Sequence, residues 1–240
     1  MSAPTAQSHA DAQSVPSLQA LLSDVSFDAS KPLATQIYEL LRDFIITMKI
    51  NPGCALSEKE IGAYLNASKT PVREAIGQLV SEGLAKRSAG SAPVVSSVSL
   101  NEIMEILHVR SLLECEASRK AAASGKSTAE LSDIRNKMQG FIDGPRPTAA
   151  EHSALDMRLH FILAEMAGSN LLLELIESLK VKTGMYDQGS IPDRLVPGCE
   201  EHIALIDAVI AGEPEAASAA MKLHLSNVRK SIISHIYHPF

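Results

Sequence analysis

The stretch from Leu56 to Leu84, LSEKEIGAYLNASKTPVREAIGQLVSEGL, constrains this chain more than any other. Ile61 and Leu65 lie one turn apart on a short helical pattern, and Val72, Ala75, Ile76, Leu79 and Val80 make a second. Ser57 followed by Glu60 predicts a capping box at the start of the first, and Gly83 ends the second. Between them Asn66-Ala67-Ser68 marks a turn. Pro71 falls in the first turn of the second helix, where its missing N–H would have had no partner anyway. Two short helices so tightly connected predict a helix-turn-helix. The outward stripe of the second helix is Lys69, Arg73 and Gly77, spaced by four. In a DNA groove, Lys69 and the helix N-terminus would meet phosphate, Arg73 would reach guanine or phosphate, and Gly77 would allow close approach. A solvated surface face is the plainer reading of the same stripe.

The flanking sequence completes a module. Ile37, Leu40, Leu41, Phe44 and Ile45 predict a helix from Thr35 to Thr47, closed by the turn signal Asn51-Pro52-Gly53. Leu84–Arg87 and Pro93–Val95 are brief extended runs around Ser88-Ala89-Gly90-Ser91-Ala92, and they predict a two-stranded wing. Residues 31–98 therefore read as a winged helix-turn-helix. Residues 1–30 are rich in Ser, Ala, Gln and Asp and are expected to be a flexible tail, with at most a helical turn at Leu18, Leu21 and Leu22.

Beyond residue 98 the strand pattern disappears. Ser99 with Glu102 and Thr148 with Glu151 predict capping boxes, and helical periodicity recurs from 99 to about 123, from Ser127-Thr128-Ala129-Glu130 to before Asp143, 148 to about 167, 170 to about 186, about 198 to 211 and 214 to about 236. The interval 187–197 reads as a loop. The expected fold is mainly α: an N-terminal winged helix-turn-helix and an all-α bundle of about six helices over 99–240.

Charge divides the chain at the same place. The net charge is −6, yet residues 31–95 hold eight Lys and Arg against six Asp and Glu, while residues 101–240 hold 14 against 19. A mildly basic module tied to an acidic one suits local DNA contact rather than indiscriminate coating of phosphate. Cys54, Cys115 and Cys199 are an odd number at no metal spacing, which favours a reducing compartment over a disulfide framework. With no signal-peptide pattern and no run of about 18 apolar residues, a cytoplasmic protein outside the membrane is expected.

Asp156 and His160 are four apart on one predicted helix and share a face. His202 and His224 sit near the centres of the last two helical patterns, where an antiparallel bundle could bring them against that pair. One carboxylate and three imidazoles suit a divalent ion of the Zn, Ni or Mn class, with positions left for water or a ligand. His9, His108, His152, His235 and His238 read as structural or exposed. The same donor set could instead activate water in a metal-dependent hydrolase, although Glu151 and Glu165 are the only base candidates on that helix. A merely structural helical protein is the third reading.

Residues 33–98 resemble the DNA-binding domain of the GntR family of bacterial transcriptional regulators, through Ile50–Ile61, S-K-T-P-V-R-E-A-I (Ser68–Ile76) and L-V-S-E-G-L (Leu79–Leu84). The resemblance places DNA contacts on Lys59, Lys69, Thr70, Arg73 and the wing-tip Gly90. The family usually has Arg at the position of Lys69, so softer base selectivity is expected there. Its wing usually carries a basic residue or His, where this one reads only Ser, Ala, Gly and Pro. Residues 100–236 resemble the FCD domain of the FadR-like subfamily, whose Asp-x-x-x-His motif and two further histidines are met by Asp156, His160, His202 and His224. This implies a metal that helps to hold a small carboxylate effector, with Arg110 as the effector's cationic partner. An ion pair between Arg110 and Glu114 at i+4 is the other role open to that arginine. Together the resemblances imply a non-enzymatic, effector-responsive regulator, commonly a repressor, that binds a double-stranded operator as a homodimer.

Overall fold

In the computed structural model, which describes residues 17–23, 25–47, 49–88, 90–187 and 194–237, the N-terminal part is four helices and a small ribbon. These are α1 (Leu18–Leu22), α2 (Leu33–Ile46), α3 (Glu58–Tyr64), α4 (Lys69–Ser81), β1 (Ala85–Lys86) and β2 (Val94–Val95). The apolar positions of each helix converge on one core: Ile37, Leu41 and Ile45 from α2, Ile61 from α3, and Val72, Ile76 and Leu79 from α4 are fully buried. The turn between α3 and α4 places Asn66 at φ 49°, in the left-handed region that Asn tolerates better than most residues. β1 and β2 pair antiparallel, Ala85 opposite Val95 and Lys86 opposite Val94, and form the wing. Ala89 of the wing tip lies outside the described residues.

Two expectations need correction here. Residues 17–30 do not all belong to a flexible tail: Ser17 caps α1, Leu22 is buried in the core, and the Gln36 side chain bonds both the N–H and the carbonyl of Asp28. The apolar triplet at 18, 21 and 22 has a core to join, which overrides the polar composition around it. At α3 the capping box is half made. The Ser57 hydroxyl accepts from the Glu60 N–H at 3.3 Å, with no reciprocal bond from the Glu60 carboxylate.

The bundle comprises α5 (Leu100–Ala123), α6 (Ala129–Asp143), α7 (Ala149–Met166), α8 (Asn170–Asp187), α9 (Leu195–Ile210) and α10 (Pro214–Tyr237). Both predicted capping boxes form, at Ser99/Glu102 and Thr148/Glu151. α9 begins at Leu195 rather than near residue 198, because Pro197 is accommodated within its first turn instead of preceding it. α5 is the central helix and packs against α7, α8, α9 and α10. The fold is mainly α, a winged helix-turn-helix joined to six bundle helices among the described residues.

α8 joins the two parts. Val181 and Met185 on it are buried in the N-terminal core, while Lys180 and Thr183 face the bundle. Replacing Met185 with Ala should therefore cost about 2–5 kcal/mol of stability through the cavity left behind. A urea titration that follows the helix-turn-helix would read this, and a loss below about 1 kcal/mol would mean that α8 is not part of that core.

Candidate functional site

Three of the six bundle helices send side chains to one point. α7 contributes Asp156 and His160, α9 contributes His202 and α10 contributes His224, and one ligand atom from each lies within 4.8 Å of the others. The three histidines are buried, and the sequence pattern explains why they meet. An i, i+4 pair on α7 faces the seam where α9 and α10 pack on each other.

The inward-facing atoms are Asp156 Oδ1 and the three imidazole Nε2 atoms. Asp156 Oδ1 is 3.4 Å from His202 Nε2 and 3.5 Å from His160 Nε2, and the Nε2 atoms of His202 and His224 are 3.2 Å apart. Ligand atoms bound about 2.0–2.2 Å from one first-row ion stand about 3–3.5 Å from each other, so the separations suit such an ion.

The surroundings fix which nitrogen faces inward. His160 Nδ1 hydrogen-bonds Glu114, whose other oxygen accepts from Arg110 Nε at 2.6 Å. His224 Nδ1 meets Glu201 at 2.9 Å, and Glu201 is held by Arg194 at 2.6 and 2.8 Å and by Asn227 at 2.8 Å. On His160 and His224 a carboxylate acceptor on Nδ1 puts the proton there and leaves the Nε2 lone pair pointing at the centre, as metal-binding histidines require, whereas His202 Nδ1 is buried without a partner. His160 Nε2 is buried without a hydrogen-bond partner, an orphan that a metal ion would satisfy. On the fourth ligand, Lys180 Nζ lies 2.5 Å from Asp156 Oδ2. The donor set could therefore hold a divalent cation.

Electrostatics agree with neutral His202 and His224 rings and an ionised Asp156 carboxylate. Burial alone would raise Asp156, but the Lys180 ammonium, His160 and His202 hold it well below the usual carboxylate range. Burial and the adjacent His224 push His202 well below the usual imidazole value. Burial lowers His224 to about 4 against the opposing hydrogen bond to Glu201. Glu201 would be raised by burial but is held at about 2 by Arg194, His224 and Asn227.

A cavity of about 310 Å³ opens beside the cluster. Arg110, Arg146, His152, Lys180, Thr183 and Arg194 are among its walls, a cationic lining around Asp156. Of the two roles considered for Arg110, the ion pair with Glu114 is formed: the residue is 1 % exposed, donates also to Thr183 at 3.1 Å, and keeps Nη2 unpartnered. His152 is not one of the bland histidines. It lines the cavity, burial lowers its pKa, and its Nε2 has no partner. Its position one turn before Asp156 was a signal that the sequence carried. Glu114 was marked only as the i+4 partner of Arg110, and Lys180 and Glu201 carried no signal, because charged residues on helices ordinarily face water.

At the other end, Lys59 is exposed on α3, and Lys69, Thr70 and Arg73 are exposed along the start of α4. Gly90 is exposed with φ +79°. Glu58, unremarked in the sequence, joins this surface: Arg73 Nε lies 3.1 Å and Arg87 Nη2 3.9 Å from its carboxylate. Gly77 has open space where a Cβ would be, so no contact within the protein requires a glycine there.

A winged helix-turn-helix carrying exposed cations, joined to an all-α bundle with a polar cavity, defines the architecture of a DNA-binding protein with a helical second domain. The sequence matches the bacterial regulatory proteins of the gntR family over residues 33–95 and the FCD domain over residues 105–227, and the chain belongs to this family of transcriptional regulators. It is similar to the HTH-type transcriptional repressor RspR of Escherichia coli K12, at 28% identity over 214 residues, covering 87% of this chain and 92% of RspR. The transcriptional repressor NanR of Cronobacter sakazakii is 27% identical over 225 residues, covering 83% and 85%. Among solved structures, a GntR regulator of Rhodococcus sp. RHA1 superposes with a TM-score of 0.70 at 26% identity, covering 84% of this chain and 97% of that one. Escherichia coli McbR/YncC shares the fold, with a TM-score of 0.71 at 24% identity over 86% and 98% of the two chains. The protein is thus a DNA-binding transcriptional regulator and not a hydrolase. Among the described residues no helix is long and apolar enough to cross a membrane.

The histidine states generate a pH dependence. Both His202 and His224 are harder to protonate in the folded chain, so between the unfolded value of about 6.5 and the folded value the unfolded state binds more protons and acid removes stability. Glu201 acts in the same direction below its unfolded pKa, its contribution being lost as pH falls toward its lowered value. Metal-free protein should lose thermal stability steadily from about pH 7 to about pH 4, and His224→Gln should flatten that fall. A Tm constant across this window, read by differential scanning calorimetry, would contradict neutral buried imidazoles.

Proposed function

We propose that this regulator represses its target genes by binding a palindromic operator as a homodimer in the cytoplasm, and that a small carboxylate effector modulates the binding. The effector sits in the bundle cavity at a divalent ion held by Asp156, His160, His202 and His224. The observation that carries this reading is the set of four inward-facing ligand atoms opening onto a cavity walled by Arg110, Lys180 and Arg194. When bound, the ion would supply a Lewis-acidic centre for a carboxylate oxygen, and Arg110 Nη2, buried and unpartnered, is placed to donate to the same ligand. Zn, Ni and Mn all suit the donors, and availability decides between them.

α8 gives the cavity a route to the DNA-facing end. Lys180 and Thr183 line the cavity, and Val181 and Met185 sit in the helix-turn-helix core. A second cavity, between α2 and α7, shares Ala149, Ser153, Met157 and Gly184 with the first and is closed on its other side by Tyr38, Arg42 and Glu82. A ligand that favours one placement of α7 and α8 would thus bias the posture of the two recognition helices in a dimer. Leu112 and Leu171, 63% and 67% exposed on helices that pack together, support an apolar pairing surface.

At the operator, Lys59, Lys69 and Thr70 meet phosphate, Arg73 reads a base or phosphate after leaving Glu58, and Gly90 lets the wing approach closely. The Arg73–Glu58 pair is an exposed one worth at most about 1 kcal/mol, so DNA competes for the arginine at little cost. Arg73→Ala should abolish the electrophoretic shift of the DNA flanking its own gene while the fold melts unchanged. Gly77→Ala should have opposite effects on two measurements: stability should rise by about 0.5–1 kcal/mol, as for an unobstructed helix glycine, while operator affinity falls because the backbone stands farther from DNA. Unchanged affinity would remove α4 from the groove. His202→Ala and His224→Ala should each lower bound metal and thermal stability, since an ion bound only by the native state stabilises it. A double variant with full metal content would refute the site.

A further inference from the structure

The two oxygens of Asp156 have different neighbours. Oδ1 faces His160 and His202, while Oδ2 is 2.5 Å from the ammonium of Lys180, itself buried. Lys180 comes from α8, so the carboxylate is held from outside and presents a single oxygen to the centre.

The same contact changes the charge of the site. Asp156, Glu114 and Glu201 are the carboxylates that touch the histidine cluster among the described residues, and each is paired with its own cation: Lys180, Arg110 and Arg194. The three imidazoles are neutral when they ligate an ion. Before any ion binds, the cluster is thus already balanced. A dication would add two positive charges that no side chain of the cluster offsets, in a cavity whose lining includes those same three cations and Arg146. Buried charge without compensation is strongly disfavoured, so the ligand that completes the site must bring the missing negative charge. One carboxylate supplies half of it.

We propose that the metal-loaded cavity selects a small dicarboxylate over a monocarboxylate, and that Lys180 is the specificity-determining residue that sets this preference by neutralising Asp156. The inference rests on the proposed metal and carboxylate site and adds the charge class of the ligand. A cavity of about 310 Å³ accommodates acids of a few carbons, and Ser153 on its wall offers a hydroxyl group to such a chain.

The test is calorimetric and uses the full chain. Zinc is titrated first, alone, and the zinc-loaded protein is then titrated with malonate, succinate and glutarate and with the monomethyl ester of each, which keeps the size and halves the charge. The best dicarboxylate should bind at least about tenfold more tightly than its monoester. In Lys180→Met, titrated after loading with zinc to the stoichiometry of the parent, Asp156 offsets one charge of the ion and the preference should shrink to within about threefold or reverse, while Lys180→Arg should retain it. Parent protein that binds monoester and diacid equally, or a Lys180→Met variant that keeps the full preference, would overturn the charge assignment and leave the metal site standing. Failure of zinc to bind at all, or binding of zinc with no acid of either charge, would overturn the underlying site as well. If Lys180→Met does not fold, the comparison of diacids with monoesters in the parent and in Lys180→Arg still decides.

Discussion

The bundle depends on keeping buried ions paired. Glu114 on α5 is shared between Arg110 on its own helix and His160 on α7, Asp156 on α7 is held by Lys180 on α8, and Glu201 on α9 spans Arg194, His224 and Asn227. Removing one partner of such a pair leaves a charge in a poorly solvating interior, at about 3–5 kcal/mol, whereas the pairs themselves add little net stability. Their effect is therefore on register. Apolar contacts such as Ile103, Leu159, Leu205 and Ile206 would tolerate small slips of one helix past another. The ion pairs tie α5 to α7, α7 to α8 and α9 to α10 at single positions, and the imidazole nitrogens converge because of it.

This explains what the sequence could and could not disclose. Helix starts at Ser99, Thr148 and Pro214 were legible because capping and proline placement are local. Asp156 and His160 were legible as one face, and His202 and His224 as candidates at mid-helix. Lys180 and Glu201 were not, and Glu114 was legible only as the i+4 partner of Arg110, not as the support of His160. Each is a charged residue on a helix, a pattern that usually means solvent, and only the packing of a helix distant in sequence buries it. His152, read as structural or exposed, lines the cavity. The tail was misjudged in the opposite sense: a polar segment with three leucines is disordered unless a groove receives them, and the N-terminal core buries Leu22.

The DNA-facing end carries modest charge. Glu58 touches both Arg73 and Arg87, so one acid screens two of the cations on that surface. Phosphate binding scales with the number of cations delivered, and a module of this kind gains from a second copy bound at a fixed spacing. In the proposed dimer, the geometry between copies, rather than the intrinsic grip of one α4, would be the quantity most open to control from the bundle.

α8 bears on how freely such proteins can exchange parts. The sequence suggests a clean seam at residue 98, with one module on each side. Val181 and Met185 cross it, completing a core whose other members lie before that seam. A hybrid built by splicing this DNA-binding half onto the bundle of a relative would inherit a foreign helix in its own interior, and would need that helix's 181 and 185 positions transplanted with it. The unit of inheritance for the reading head is therefore discontinuous: residues before the wing's end, plus one face of a helix some eighty residues farther on.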